Sequence, residues 1–156
     1  MKFSEIHKFT TWVRYSDLDM YSVVYHPNYL ILLDSARNQS FKDFGYPVEE
    51  QFKDKVGFTI AGIKNIEFKR PLFMDEKIDI FTEVISFSKR SCEVKHWIQL
   101  NQPDGAGIIV FNAHYNLVFV TISEIEDFPL DAQNVKGLKS LEFTAKVRSR
   151  LNFEEK

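Results

Sequence analysis

Cysteine is almost missing from this chain: Cys92 stands alone, so no disulfide can close within it. The four histidines are scattered without metal-ligand spacing, which argues against structural zinc and leaves no metal expected. No apolar run approaches the roughly 18 residues that a membrane span needs. The opening stretch MKFSEIHKFT has no apolar signal-peptide segment, so a cytoplasmic location is expected. A basic excess is also lacking: 20 Lys and Arg face 22 Asp and Glu, interspersed, for a net charge of −2. That balance leaves no electrostatic footprint for nucleic acid. Internal repeats and low-complexity linkers are absent from the sequence too. What the sequence does have is bulk. Fifteen phenylalanines, 44% hydrophobic residues and 156 positions describe a single globular domain over residues 1–156. A chain of this length buries about two-thirds of its unfolded surface.

Residues 8–15, KFTTWVRY, are β-branched and aromatic and break into the polar SDLD, which reads as a strand ending in a loop. From Pro27 the apolar positions Tyr29, Leu33, Ala36 and Phe44 recur near helical spacing, with Leu30, Leu32 and Phe41 beside them. This predicts one helix of roughly 17 residues, about 25 Å long. Pro27 suits its first turn and Gly45 its end. Because the apolar positions spread beyond a narrow stripe, the helix is expected to be covered on most sides. Segments 57–73, 76–101 and 107–121 alternate with period two, and Asn101-Gln102-Pro103-Asp104-Gly105 is turn chemistry. They predict long antiparallel strands. Residues 129–156 are expected to form a peripheral arm or short helix. The fold class is therefore α+β, a curled antiparallel sheet of about five strands around one long helix.

Two aspartates fall just before the predicted helix start, in YSDLDMYSVVYHPNY over residues 15–29. A helix start offers backbone N–H groups without intrahelical partners, at the positive end of the dipole. A carboxylate beside it is ionised near neutral pH, since an unperturbed aspartate titrates at about 3.9. Together they place a carboxylate beside free hydrogen-bond donors. Aspartates in a loop are otherwise ordinary turn formers.

The run VRYSDLDMYSVVYHPNY, continued by LLDSARN, resembles the signature of hot-dog fold acyl-CoA thioesterases of the 4-hydroxybenzoyl-CoA thioesterase family, including the Tol-Pal-associated branch. The similarity runs over roughly residues 8–122. It implies hydrolysis of an acyl-CoA to the free acid and coenzyme A, without metal or redox cofactor. Asp19 falls at the family's catalytic carboxylate, as nucleophile or as general base on water. The backbone N–H of His26, at the expected N-cap, would polarise the thioester oxygen. Asp17 is the structural alternative, expected to brace its own loop through an Asx-type turn. Tyr25 is placed on the acyl pocket or in simple packing, and Asn28 on the loop or the substrate, while Tyr29 is expected in the core. Ser88, Lys89 and Arg90 fall where the family contacts the CoA phosphates, or else form a solvated turn; Lys69 and Arg70 are a second candidate pair. Asp34 and Arg37 resemble the family's helical acid and arginine, an ion pair bracing the dimer or the loop. Cys92, His96 and His114 are expected to be core or sheet-face residues.

One departure bears on the site. The family carries glycine three residues after the catalytic aspartate, and this chain has Ser22. Serine disfavours the positive φ that glycine tolerates, so a differently shaped loop is expected, narrowed by Met20 and Tyr21. Two other readings stand beside the thioesterase: a hot-dog enoyl-CoA hydratase or dehydratase working through the His26 ring, and a non-catalytic acyl-CoA-binding protein. The resemblance also implies a homodimer or homotetramer with sites at the subunit interface.

Overall fold

Strand β1, His7–Trp12, forms from the β-branched and aromatic residues ahead of the aspartates. It is shorter than the expected 8–15, because Tyr15–Asp17 winds into a single 3-10 turn. The structure, a computed structural model, describes residues 5–103, 105, 107–121, 142, 147 and 148. The expected arm over 129–156 lies outside them, apart from 142, 147 and 148.

Helix α1 spans His26–Asp43, with Tyr25 as N-cap and Pro27 in the first turn. His26 is thus the first helical residue and not the expected N-cap. The far end closes as a Schellman motif: Gly45, at φ 85°, donates to Lys42 O at 3.1 Å, and Tyr46 N donates to Phe41 O at 2.9 Å. Tyr29, Leu32, Leu33, Ala36, Ser40 and Phe41 form one buried stripe. Ile31, on the other side, is 58% exposed. The single chain therefore covers α1 on one side only, not on most sides as its composition suggests.

A short helix that periodicity does not show, α2 at Val48–Lys53, follows and packs against the next strand. Its six residues are too few to display a helical repeat. Strands β2 (Val56–Phe68), β3 (Lys77–Phe87), β4 (Ser91–Leu100) and β5 (Ile109–Thr121) complete one antiparallel sheet in the order β1-β3-β4-β5-β2. Alternation sorts its two faces. Rows such as Ile80, Ile98 and Phe111, or Val84, Val94 and Tyr115, point toward α1 and build the core. The opposite face carries Phe81 stacked on Trp97, with ring centroids 5.0 Å apart, and the ion pair of Lys64 with Glu93 at 2.7 Å.

Candidate active site

Asp17 is the third residue of the 3-10 turn, and its carboxylate reaches back to accept the Arg14 N–H at 2.8 Å. Its carbonyl takes two further donors, Tyr25 N–H and Asn28 Nδ2, each at 2.9 Å. Asp17 is buried, and these contacts fasten the start of the loop to the start of α1. The Asx turn expected of Asp17 is formed by Asp19 instead, whose Oδ1 accepts Tyr21 N–H at 2.8 Å. The geometry decides this, because Asp17 already faces backward into its own turn.

Between them the chain makes a miniature hairpin. Leu18 pairs with Val24, Asp19 N–H donates to Val23 O at 2.9 Å, and Ser22 N–H donates to Asp19 O at 3.0 Å. This is the bonding of a three-residue hairpin loop, whose closing residue must be left-handed. Ser22 holds that place at φ 63°. The loop therefore keeps the shape a glycine would give it, contrary to the expectation from serine, at a cost of about 1–2 kcal/mol. Its tip, Met20 and Tyr21, is exposed.

Two groups remain after these bonds are counted. Asp19 Oδ2 has no partner among the described residues. The His26 N–H likewise donates to none of them; Pro27 has no N–H, and Asn28 N–H is taken by Tyr25 O at 2.8 Å. The hairpin bonds and the Asp17 carbonyl thus tie the Asp19 loop to the helix start that carries Tyr25, His26 and Asn28. The His26 ring is exposed and packs edge-on against Tyr25 at 4.8 Å, while the Asn28 side chain braces the loop. Tyr29 is buried, as expected, and its hydroxyl accepts Leu72 N–H at 3.1 Å. Burial pushes that phenol upward from its ordinary pKa.

Ser88, Lys89 and Arg90 lie elsewhere. They form the turn joining β3 to β4, closed by Ser88 N–H on Ser91 O at 2.8 Å and by the two serine hydroxyls at 2.7 Å. The Asp19 loop sits beside the first residues of β3, and this turn follows its last. Eleven residues of strand separate the two, about 35 Å. Arg90 lies 3.8 Å from Glu142. Lys69 pairs with Glu67 at 3.4 Å. Arg70 is engaged by both oxygens of Glu76, an arrangement the sequence reading did not find. Its signal was present: opposite charges flank the turn-forming Pro71–Asp75 stretch.

Under the middle of α1, Asp34 and Arg37 form the expected ion pair at 3.2 Å. Arg37 also makes it costlier to protonate its neighbour His96. Burial first, then Arg37, brings buried His96 down to about 3. Burial pushes the Cys92 thiol up to about 12 and raises Tyr115 as well. His96 and Cys92 are core residues, while His114 is half-buried on the outer face against Glu93 at 3.3 Å. A cavity of about 460 Å³ lies by the β3–β4 turn, lined in part by Lys64, Ser88, Glu93 and Asn116, and does not reach Asp19. Among the described residues, no cluster of His, Cys, Asp and Glu has a metal-binding arrangement, and no helix is long and apolar enough to cross a membrane.

This sheet order around one long helix is the hot-dog fold. A mutant 4-hydroxybenzoyl-CoA thioesterase complexed with 4-hydroxybenzoyl-CoA superposes with a TM-score of 0.77 at 19% identity, over 94% of this chain and 98% of that one. A gentisyl-coenzyme A thioesterase superposes with a TM-score of 0.72 at 21% identity, over 90% and 98%. The profile of the thioesterase-like superfamily matches residues 13–147, and the chain belongs to that family. In sequence it is 32% identical over 76 residues to the putative acyl-CoA thioesterase YneP of Bacillus subtilis, which is 49% of this chain and 54% of that protein. The chain spans about half the length of the curated relatives it matches.

Proposed function

We propose that this protein is an acyl-CoA thioesterase, hydrolysing an acyl-CoA with water to the free carboxylic acid and coenzyme A. The observation that carries the reading is the pair of groups left over when the loop has satisfied itself: the Asp19 Oδ2 and the His26 N–H. In this reading the His26 N–H, at the positive end of α1, donates to the thioester oxygen and stabilises the oxyanion as it forms. Asp19 either attacks the carbonyl carbon, expelling the thiolate of coenzyme A and forming a mixed anhydride that water then hydrolyses to the free acid, or takes the proton from an attacking water and passes it to the leaving thiolate. The Asx turn from Tyr21 N–H aims the carboxylate and leaves its second oxygen for this task. No metal or redox cofactor takes part, and Tyr25 and Asn28 flank the reacting carbonyl.

The assembly belongs to the same proposal. Met20, Tyr21, Tyr25, Ile31, Phe73 and Met74 are all exposed around the site in one chain, an unusual concentration of apolar surface. A second copy covering them would supply the missing wall of the acyl pocket. It would also bring a Ser88-Lys89-Arg90 turn toward the CoA phosphates, which one chain alone cannot do. A dimer, or a tetramer built from it, in the cytoplasm is the expected form.

The test is free-thiol release by the wild type and Asp19→Asn over short, long and aromatic acyl-CoAs. Asparagine keeps the Tyr21 hydrogen bond, so the loop should persist while turnover falls by about 10²-fold or more. Equal turnover by both proteins would sink the assignment of Asp19. Binding without turnover by either would favour a non-catalytic acyl-CoA-binding protein, and hydration of an enoyl-CoA abolished by His26→Ala would favour a hydratase.

A further inference from the structure

The segment between β2 and β3 is held by one side-chain pair. Arg70 donates through Nη1 to Glu76 Oε2 at 2.9 Å and through Nη2 to Oε1 at 2.8 Å. Oε2 also accepts the Phe73 N–H at 2.9 Å, and Arg70 Nη1 donates to Pro71 O at 3.0 Å. The guanidinium lies 5.4 Å from the centre of the Phe73 ring. The main chain is pinned on its other side, with Val13 N–H on Glu76 O at 2.9 Å and Asp75 N–H on Val13 O at 3.1 Å.

What this clamped segment touches is the candidate site. Phe73 pairs antiparallel with Val23, and Val23 O is the acceptor of Asp19 N–H. Leu72 O takes Val24 N–H at 2.9 Å, and Leu72 N–H donates to the Tyr29 hydroxyl at 3.1 Å, one turn into α1. One route therefore leads from Arg70 through Phe73 and Val23 to the Asp19 carboxylate, and another through Leu72 to the helix start that presents His26 N–H.

We infer that Arg70 and Glu76 are positioning residues of this site, holding segment 71–74 as the splint that fixes Asp19 and the His26 amide relative to each other. The inference rests on the thioesterase reading. Both side chains are part-exposed, 35% for Arg70 and 23% for Glu76, so as an ion pair they add little to stability. Their fork geometry instead fixes direction, which a point charge does not reproduce. Opposed to its burial, which alone would raise it, the Glu76 carboxyl is held below its ordinary range by Arg70 and by Phe73 N–H.

The experiment uses full-length wild type, Arg70→Gln and Arg70→Lys, with thiol release measured against acyl-CoA concentration and amide hydrogen exchange followed over residues 15–30. Arg70→Gln is expected to lower kcat by about 10- to 100-fold, the scale of an ångström-sized misplacement of reacting groups. KM should stay within about threefold, and exchange over 19–28 should quicken while the rest of the sheet stays protected. Arg70→Lys should recover only part of the rate. Unchanged exchange over 19–28 in Arg70→Gln overturns the splint, as does a kcat loss that merely follows the fraction unfolded and disappears at lower assay temperature. If the wild type releases no thiol from any acyl-CoA, the thioesterase reading fails, and with it the catalytic role of the splint; the exchange result still decides the geometry separately.

Discussion

The two ends of β3 carry two very different kinds of loop. At its start, the hairpin of Asp19, the first turn of α1 and segment 70–76 are bonded to one another until little remains except one carboxylate oxygen and one amide. At its end, the Ser88–Ser91 turn is closed by its own serines and joins β5 through Arg90 O, which accepts Phe119 N–H at 2.9 Å, while Lys89 stands in solvent. The first arrangement fixes the direction of what is left over; the second merely exposes it. Fixed direction is what chemistry requires, since a catalyst works through groups already aimed at the charge that develops. A basic turn can still collect an anion, but it does so with mobile charges.

The sharpest way to break this comparison is to exchange the two aspartates as targets. Asp19→Asn should cost about 10²- to 10⁴-fold in kcat with a thermal midpoint close to wild type. Asp17→Ala should do the opposite, destabilising the protein by about 1–3 kcal/mol because the Arg14 amide loses its acceptor, and activity should fall only as the folded fraction falls. Urea unfolding and thiol release on the same samples separate the two.

Acid sharpens it next, because the core under α1 titrates apart from the site. The pKa of His96 falls on folding from 6.5 to about 3, so the unfolded chain binds a proton the folded chain refuses. Its contribution is complete above pH 6.5 and is lost as the pH falls below that, at about 1.4 kcal/mol per pH unit. A thermal-midpoint series from pH 7.5 to 4.5 should show this slope, and His96→Gln should flatten it. Asp43, lowered by its 2.7 Å hydrogen bond to buried His7, adds a loss only at lower pH, below the ordinary aspartate range near 3.8.

At the other end of β3 the effects should be small. Lys89→Ala is expected to raise KM about threefold with kcat unchanged, an effect that fades in high salt as exposed charges are screened. A collapse of kcat in this variant would place the turn among the fixed groups and undo the contrast. Ser22→Gly should be the mildest change, raising stability by about 0.5–1 kcal/mol with activity kept, since it relieves a left-handed serine without moving the hairpin.

Sequence patterning carried the elements well wherever a repeat was long. The helix from His26, its stop at Gly45 and the strands after residue 55 follow directly from periods of 3.6 and two. The candidate site was read from a chemical motif and a helix start that coincide at Asp19 and His26. What escaped was local or distant. The six-residue α2 has too little length for a period, and the Asx turn of Asp19 depends on which way each carboxylate faces. The Ser22 conformation was misjudged because a residue's preference was weighed without the hairpin bonds that override it. The Arg70–Glu76 pair was signalled only by opposite charges flanking a turn, and the His7–Asp43 pair links positions whose meeting only the folded chain reveals.

Cys92 lies on β4, buried in the core with its thiol held protonated. Thiol reagents react with thiolates they can reach, so this side chain should stay silent in the native protein. Each molecule thereby carries a built-in gauge of its own integrity. A thiol signal that needs substrate counts turnovers, and one that grows without substrate counts molecules that have opened.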